Sequence, residues 1–505
     1  MLRGFAPLGD FSTADLEYDR PPQFPPSRYL YSGDPVSGQG WLDGTIYGTI
    51  GNPPGDRRIV LSSGPFSLAP GDAQEVYVGV VAGIGADHLS SITAMRIHDR
   101  TVQTIFDRGF QAPGPPSAPA VSVSALDGEV VLSWGSDANT IARTEERIVA
   151  DTYRFEGYVV YQLPSSNARL SEATRIGTFD LVNGVAKILE PAVDPATGAS
   201  IVRVVQDGTD AGVRRSIRIT QDVVNGPVWS TGREVIPLVN GRQYFFAVTA
   251  YNVNANPNEL PVSNESEPVV IAVKPQVPFG LRPSSASGDT LDALHLTGVS
   301  LTRVVPVVVD PLAGTGDTVQ VRFSGPNSAR FWSVVNVSRG AVLVASGTNF
   351  SGDERYAIVG GVLVKVVHDT ASGPPADSTN VYQFTIPTPQ RGRAVELASV
   401  DRIGVFPNPY YAQPTTPYGS STPARQFVTF NNLPRRAIVR IFNLAGHLIR
   451  TLRKDDASQF LVWDLENEDR WLVASGMYLC LIEIPDLGVS KVLKLGVVAA
   501  MEGVQ

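Results

Sequence analysis

The residues of this 505-residue chain best suited to chemistry are few and scattered. Its histidines are His88, His98, His295, His368 and His447, and its one cysteine is Cys480. His88 and His98 share a stretch of helical spacing but stand nearly three turns apart, too far to ligate one metal. There is no HExxH, and Cys480 has no second cysteine to complete a thiolate site. The histidines therefore read as scattered surface groups. The carboxylate pairs Glu145-Glu146 and Asp455-Asp456 have the chemistry for general acid–base work. Both lie among polar and basic residues and read as solvated surface. GNPPGD and VGGVLV lack the Lys-Ser/Thr of a phosphate cradle, and SSGPF and VASGM form no nucleophile elbow. The oxygen-rich loops DPVSGQGWLDG and NFSGDERY keep calcium in view as the one cofactor, with turn capping by Asp as the plainer alternative. Tyr29, Tyr31, Trp41, Trp229 and Trp332 have the rings for stacking on sugars, although a Trp in an alternating strand more often fills a core. No catalytic, cofactor or metal set converges, and an enzyme is not expected.

Short strands must position these residues. Hydrophobic residues are 43% of the chain and charged ones 18%, a globular composition. The 47 glycines and 39 prolines cluster between β-branched runs, as in strands joined by turns. A net charge of −8 without a basic stripe argues against nucleic acid as a partner. No apolar run reaches the ~18–20 residues of a membrane helix. One cysteine rules out an intrachain disulfide, which large sandwiches with their own cores tolerate. MLRGFAPLGDFSTADLEYDR lacks the apolar stretch of a signal peptide. The expectation is that the chain is the downstream piece of a longer exported protein.

Four regions follow from the linkers. Residues 1–110 read as an incomplete β-rich tail of an upstream domain. They hold two strands near 58–62 and 74–83 around the turn Ala69-Pro70-Gly71-Asp72. One helix near 87–109 follows, capped by Asp87 and ended by Gly109. QAPGPPSAPA leads to a unit at 118–275, KPQVPFGLRPSSASGDT to one at 285–390, and IPTPQRGRAVELASVDR to one at 403–505. The fold class is all-β, tandem antiparallel sandwiches of immunoglobulin or fibronectin III type.

The second region resembles a fibronectin type III domain. VSVSALDGEVVLSWG sets Trp134 at a strand end, and LVNGRQYFFAVTAYN carries Leu238, Gly241 and Tyr244. The resemblance implies a core Trp at 134, Leu238 in the core, and a tyrosine corner at Tyr244 whose phenol bonds the backbone just upstream. The span is long for this fold, so 165–235 reads as an inserted hairpin or extra strands.

The last region resembles the C-terminal sorting domain of type IX secretion substrates and the related immunoglobulin-like domain of hook-capping proteins. The motif residues run in order: Pro407-Asn408-Pro409, Asn443 and Gly446, Trp463-Asp464, Gly476 and Tyr478, then Lys491 and Lys494. Two departures stand out. LGVVAAMEGVQ continues past Lys494, and ENEDRW occupies a turn where the family carries a Gly. Both leave open whether the domain is an export signal or a structural cap. RRIVLSSGPFSLAPGDAQEVYVGVVAGIGADHLSSITAMRIHDRTVQTIFDRGF also resembles segments, strands followed by a helix, that precede fibronectin-like and sorting domains in large exported proteins. Taken together, the resemblances imply a non-catalytic β-sandwich stalk with a sorting or anchoring domain, placed outside the cell or on the outer-membrane surface. The implied partners are the secretion and attachment machinery, neighbouring surface proteins, glycans, or a second copy. The alternative is a glycan- or protein-binding accessory module of a secreted hydrolase or adhesin.

Overall fold

The computed structural model describes residues 23–24, 31–45, 66–111, 114–145, 152–194, 196–197, 199–229, 232–256, 260–348, 350, 358–369, 371, 373–411 and 427–498. The fold is all-β, built on antiparallel sheets packed in pairs.

In the first sandwich, strands Ser122–Leu126, Glu129–Ser133 and Ser216–Ile219 form a three-stranded sheet. It faces a four-stranded sheet ordered Ile271–Val273, Tyr244–Asn254, Tyr153–Leu163, Thr174–Asp180. Val130, Leu132, Trp134, Tyr158, Phe246 and Val248 fill the space between. The two central strands are buried on both faces, which is why YRFEGYVVYQL and YFFAVTAYNVN do not alternate apolar with polar. Their outer residues Val159, Tyr161, Leu163, Ala247 and Tyr251 pack under Leu260, Val262 and Ile188. Ile188 belongs to the hairpin Lys187–Val193 with Ser200–Asp207, inside the 165–235 insertion. That insertion is therefore a lid on the outer sheet face.

The second sandwich sets a five-stranded sheet against a three-stranded one. The larger sheet is ordered Leu294–Thr297, Val381–Thr385, Thr318–Ser324, Phe331–Asn336, Ala341–Gly347. The smaller is ordered Arg303–Val308, Val362–Val367, Ile358–Val359. Strict alternation in TVQVRFS and FWSVVN buries Val319, Val321, Phe323, Trp332 and Val334 on one face.

The third sandwich pairs Gly404–Phe406, Val428–Asn431 and Leu461–Trp463 as one sheet. The other is ordered Tyr410–Tyr411, Val489–Val498, Gly476–Ile484, Arg436–Asn443, Leu448–Asp455. Only Tyr410–Tyr411 runs parallel to its neighbour.

Helix α1 is His88–Asp107, and its Asp87 carboxylate accepts the Ser90 backbone amide at 2.7 Å while Ser90 Oγ accepts the Asp87 amide at 2.9 Å. Two helices are not legible in the sequence. α2 (Ala138–Glu145) and α3 (Arg393–Val400) span only two turns each, too short for a helical period to stand out, and are held by tertiary contacts. The strand expected at 74–83 is corrected. Among the described residues the segment pairs with no strand. The 58–62 reading lies outside the described residues. No described helix is long and apolar enough to cross a membrane.

The sandwiches are not strung end to end as a stalk. Leu126 and Val131, on the outer face of the first three-stranded sheet, pack with Val277 and with Val309, Ile358 and Leu363 of the second sandwich. The Ile358 amide donates to Gly135 O at 2.8 Å. Ser124 Oγ donates to Asp310 Oδ2 at 2.5 Å. The connecting segment then docks on the third sandwich. Phe279 N donates to Gln459 Oε1 at 2.8 Å, Gly280 N donates to Ser399 Oγ at 3.1 Å, and Lys274 Nζ sits 4.3 Å from the Phe460 ring centre.

Candidate functional site in the C-terminal sandwich

The motif residues of the third sandwich divide into those that close its two sheets together and those that fix its turns. Gly404–Phe406 lies in one sheet and Tyr410–Tyr411 in the other, so Pro407-Asn408-Pro409 is the crossing between them. Both peptide bonds into the prolines are cis. Proline has no N–H, and the Asn408 side chain supplies the missing pairing. Its Nδ2 donates to Lys494 O at 2.8 Å, and its Oδ1 accepts from Gly496 N at 3.2 Å. The crossing is thereby bonded to the last strand. Gly496 has a packing reason as well, since a Cβ there would stand 3.2 Å from that of Pro409.

Lys491 ties the same strand to α3. Its Nζ donates to Val400 O at 3.1 Å and Asp401 O at 2.6 Å, the free carbonyls at the helix C-terminus. Burial lowers the pKa of this ammonium, against the opposing pull of Asp401. Lys494 lends its carbonyl to Asn408 and is exposed.

Trp463 is fully buried, meets the Tyr478 ring edge-on at 5.9 Å, and donates Nε1–H to Glu466 O at 2.8 Å. Asp464 Oδ1 accepts the Glu466 amide at 3.2 Å. Tyr478 Oη donates to Ala474 O at 2.7 Å, fixing that corner. In the hairpin, Gly446 takes φ +83°, its amide donates to Asn443 O at 3.0 Å, and Asn443 Oδ1 accepts the His447 amide at 2.9 Å. Gly476 has an ordinary φ and open space where a Cβ would stand; nothing in the structure explains the glycine.

The turn ENEDRW, which lacks the family's Gly, is held by other means. Asn467 Oδ1 accepts the Asp469 and Trp471 amides, each at 2.9 Å. Arg470 takes the left-handed conformation at φ +65° that a glycine would adopt freely. This loop presents Trp471 to solvent at 73% exposure.

In the first sandwich, Trp134 is buried with the Tyr158 ring 5.5 Å away, and Leu238 is buried in the same core. Tyr244 Oη accepts the Val239 amide at 2.8 Å.

Several surface readings are corrected. His368 is buried, with Nδ1 3.0 Å from Thr302 Oγ1 and Nε2 2.8 Å from Gly373 O, so both ring nitrogens are spent on structure. Glu145 is no solvated carboxylate. α2 turns it inward, where its oxygens accept from Arg215 at 2.7 and 2.8 Å and from Tyr158 Oη at 2.7 Å. Glu146 lies outside the described residues. Asp455 and Asp456 are exposed beside Arg435 and Lys454. Trp41 and Trp332 are core residues, and Tyr31 stands edge-on to Trp41 at 5.4 Å. Tyr29 and the Trp229 side chain lie outside the described part of the chain. In DPVSGQGWLDG, Asp34 is occupied by Arg96 at 2.7 Å and the Val36 amide at 2.9 Å, which hold its carboxyl down at about 2. NFSGDERY falls almost wholly outside the described residues. Among the described residues, no group of three or more His, Cys, Asp or Glu is arranged to hold a metal.

Sequence reasoning missed one polar cluster. Glu156 is the extra residue where the register shifts between Tyr251 and Asn252, so its side chain is turned under the insertion lid. It is 1% exposed, and its Oε2 accepts from Asn183 Nδ2 at 2.9 Å. Burial, with Asp180 and Asp210 nearby, pushes its pKa up to about 7. Asp180 accepts the Thr209 amide at 2.8 Å and Thr209 Oγ1 at 2.9 Å. The one sequence signal is a lone acid inside the apolar run FEGYVVYQL.

No family model matches the chain, and no curated protein matches it. Among solved structures, PorZ of the type IX secretion system of Porphyromonas gingivalis aligns at 12% identity over 75% of this chain and 52% of its own, with a TM-score of 0.17. Latent PorU of Porphyromonas gingivalis aligns at 13% over 77% and 33%, TM-score 0.14. The BSP domain of a biofilm-associated protein aligns at 11% over 79% and 70%, TM-score 0.14. The chain thus spans about half of the first of these and a third of the second. Superpositions at such TM-scores carry no weight for function.

Proposed function

We propose that the chain is a non-catalytic part of a secreted or cell-surface protein, in which a fibronectin III-like sandwich, a second sandwich and a sorting or anchoring sandwich form one side-packed scaffold. One observation carries the reading: Asn408 and Lys491 bond the start of the third sandwich and α3 to its last strand. The motif is thereby spent on closing the fold, which suits a domain recognised as a folded body by an outer-membrane secretion or attachment apparatus. No cofactor is assigned.

Fusing residues 393–505, which keep α3 and the carbonyls that Lys491 binds, to a reporter in a type IX-competent host tests this. Reporter on the cell surface or in the medium is expected, and Asn408→Ala should reduce it. Reporter retained in the periplasm rejects the sorting role.

Trp471 favours a second reading, a binding accessory. A rigid loop with an exposed aromatic is a suitable anchor for a sugar face or a protein pocket. Loss of binding to a polysaccharide or cell-surface panel on Trp471→Ala, with an unchanged melting temperature, would support it. A panel to which the parent chain does not bind would remove it.

A further inference from the structure

One end of the lid on the first sandwich is fastened by carboxylates. Glu156 stands on the strand Tyr153–Leu163, and Asp180, paired with the neighbouring Gly157, stands on the strand beside it. Asp210 comes from the loop that leaves the lid. Each holds a lid group. Glu156 Oε2 accepts Asn183 Nδ2, and Asp180 accepts the Thr209 amide and hydroxyl. Asp210 takes φ +50°, and its Oδ1 accepts the Asn183 and Gly184 amides at 2.7 and 3.0 Å. The turn 182–185 and the loop 208–210 are thereby one unit. Gly208 lets that unit come close, since a Cβ there would stand 2.0 Å from Asp180 Oδ2. Asn183 and Thr209 are exposed, whereas Ile188, further along the hairpin, is buried.

Among the described residues, no cation pairs with any of the three acids. Facing Glu156 are Asp180 from one strand, Asp210 from the lid loop and the neutral Asn183 amide; the Tyr251 phenol on the other neighbouring strand shares the cluster. The cations of the region are engaged elsewhere. Arg175 donates to Asp207 O at 2.9 Å and Gln206 Oε1 at 3.1 Å, and Lys187 lies 3.7 Å from Asp207. Arg203 bonds Glu190 at 3.0 Å, and Arg214 covers the Phe179 ring. Nor are the acids arranged to hold a metal. Glu156 Oε1 is buried without a hydrogen bond. What neutralises a carboxyl in such company is a proton.

We propose that this end of the lid is a proton-operated latch, shut while the Glu156 carboxyl holds its proton and lifted when the proton leaves. Lifting gives the ionised oxygens water as a partner and takes Asp210 away from Asp180 and Glu156. Asn183 and Thr209 let go at the surface, and the buried Ile188 keeps the rest of the hairpin in place. The event is local and leaves the sandwich folded. Linkage sets its size. Glu156 titrates near 7 under the shut lid and near the roughly 4.3 of a hydrated Glu once lifted. Lifting therefore becomes about tenfold easier per pH unit between those values and levels off above them. The latch is tight in acid and loose from neutral pH upward.

The test is amide hydrogen exchange on the full chain at about pH 5 and about pH 7.5, corrected for intrinsic rates. Protection of the Asn183, Gly184 and Thr209 amides is expected to fall by roughly tenfold or more between the two, while the central-strand amides at 158–161 and 246–249 keep theirs. Glu156→Gln, neutral at both pH values, should flatten the change. Asp210→Asn keeps an acceptor for the two amides and removes one charge, and should make the fall level off at a lower pH. Three results overturn the proposal: protection of these amides that does not vary with pH; an equal fall in Glu156→Gln; or an equal fall in the central strands, which would mean global unfolding in place of a latch.

Discussion

Arg470 and Tyr244 show what single side chains contribute here. Arg470 holds φ +65° in a loop kept in shape by Asn467. An L-residue in the left-handed region costs about 1 kcal/mol relative to glycine. Arg470→Gly should therefore stabilise the third sandwich by roughly 0.5–1 kcal/mol, read as a shifted denaturation midpoint with unchanged slope. Tyr244 is the acceptor for the Val239 amide. Tyr244→Phe leaves that donor unmet and should cost about 1–3 kcal/mol in urea denaturation; a loss under about 0.5 kcal/mol would mean water replaces the phenol. The resemblance places Tyr244, Trp134 and Trp463 by motif, and the structure buries all three. Asn408 is legible only as part of a motif. Its role depends on a strand 86 residues further along the chain, which no local pattern encodes.

At the level of elements, strand periodicity is readable wherever one face meets solvent, as in TVQVRFS. It fails in Tyr153–Leu163 and Tyr244–Asn254, because a lid from the insertion buries the second face. That lid sets a pH dependence through Glu156. Its folded pKa of about 7 stands above the roughly 4.3 of an unfolded Glu. A raised carboxyl pKa means the fold binds the proton more tightly. Its stabilising effect is full below about pH 4 and is lost as pH rises through about 7. Asp180, Asp210 and Tyr251 share the cluster, and the two aspartates push in the same direction on Glu156. Glu156→Gln keeps the site neutral at every pH. It should gain about 2 kcal/mol over the parent at about pH 8.5 and little at about pH 5, measured as the difference in unfolding free energy at the two pH values. Equal effects at both would show that Glu156 is ionised throughout.

For the whole molecule, the side-packed interface changes what cooperativity to expect. Val131 lies in the contact between the first and second sandwiches rather than in either core. Val131→Asp buries an unpaired charge there, at a cost of about 3 kcal/mol. The single main calorimetric transition expected of the parent should split, with the two sandwiches melting apart. An unchanged thermogram would mean the sandwiches already unfold independently. Linker composition marks the boundaries but does not encode this contact. Pro-rich connectors read as spacers, while KPQVPFGLRP packs Val277 and Leu281 into the joint.

The bonding of Asn408 to the last strand has a consequence in time. Strand Val489–Val498 occupies an interior place in its sheet, between Tyr410–Tyr411 and Gly476–Ile484. A chain made or threaded from its N-terminus delivers that strand after every other strand of the sandwich. Until it arrives, the crossing at Pro407-Asn408-Pro409 has nothing to bond, and the sheet lacks an interior strand. Closure must wait for contacts between distant parts of the chain, which form slowly. The third sandwich therefore becomes a compact body only once its final strand has joined the sheet.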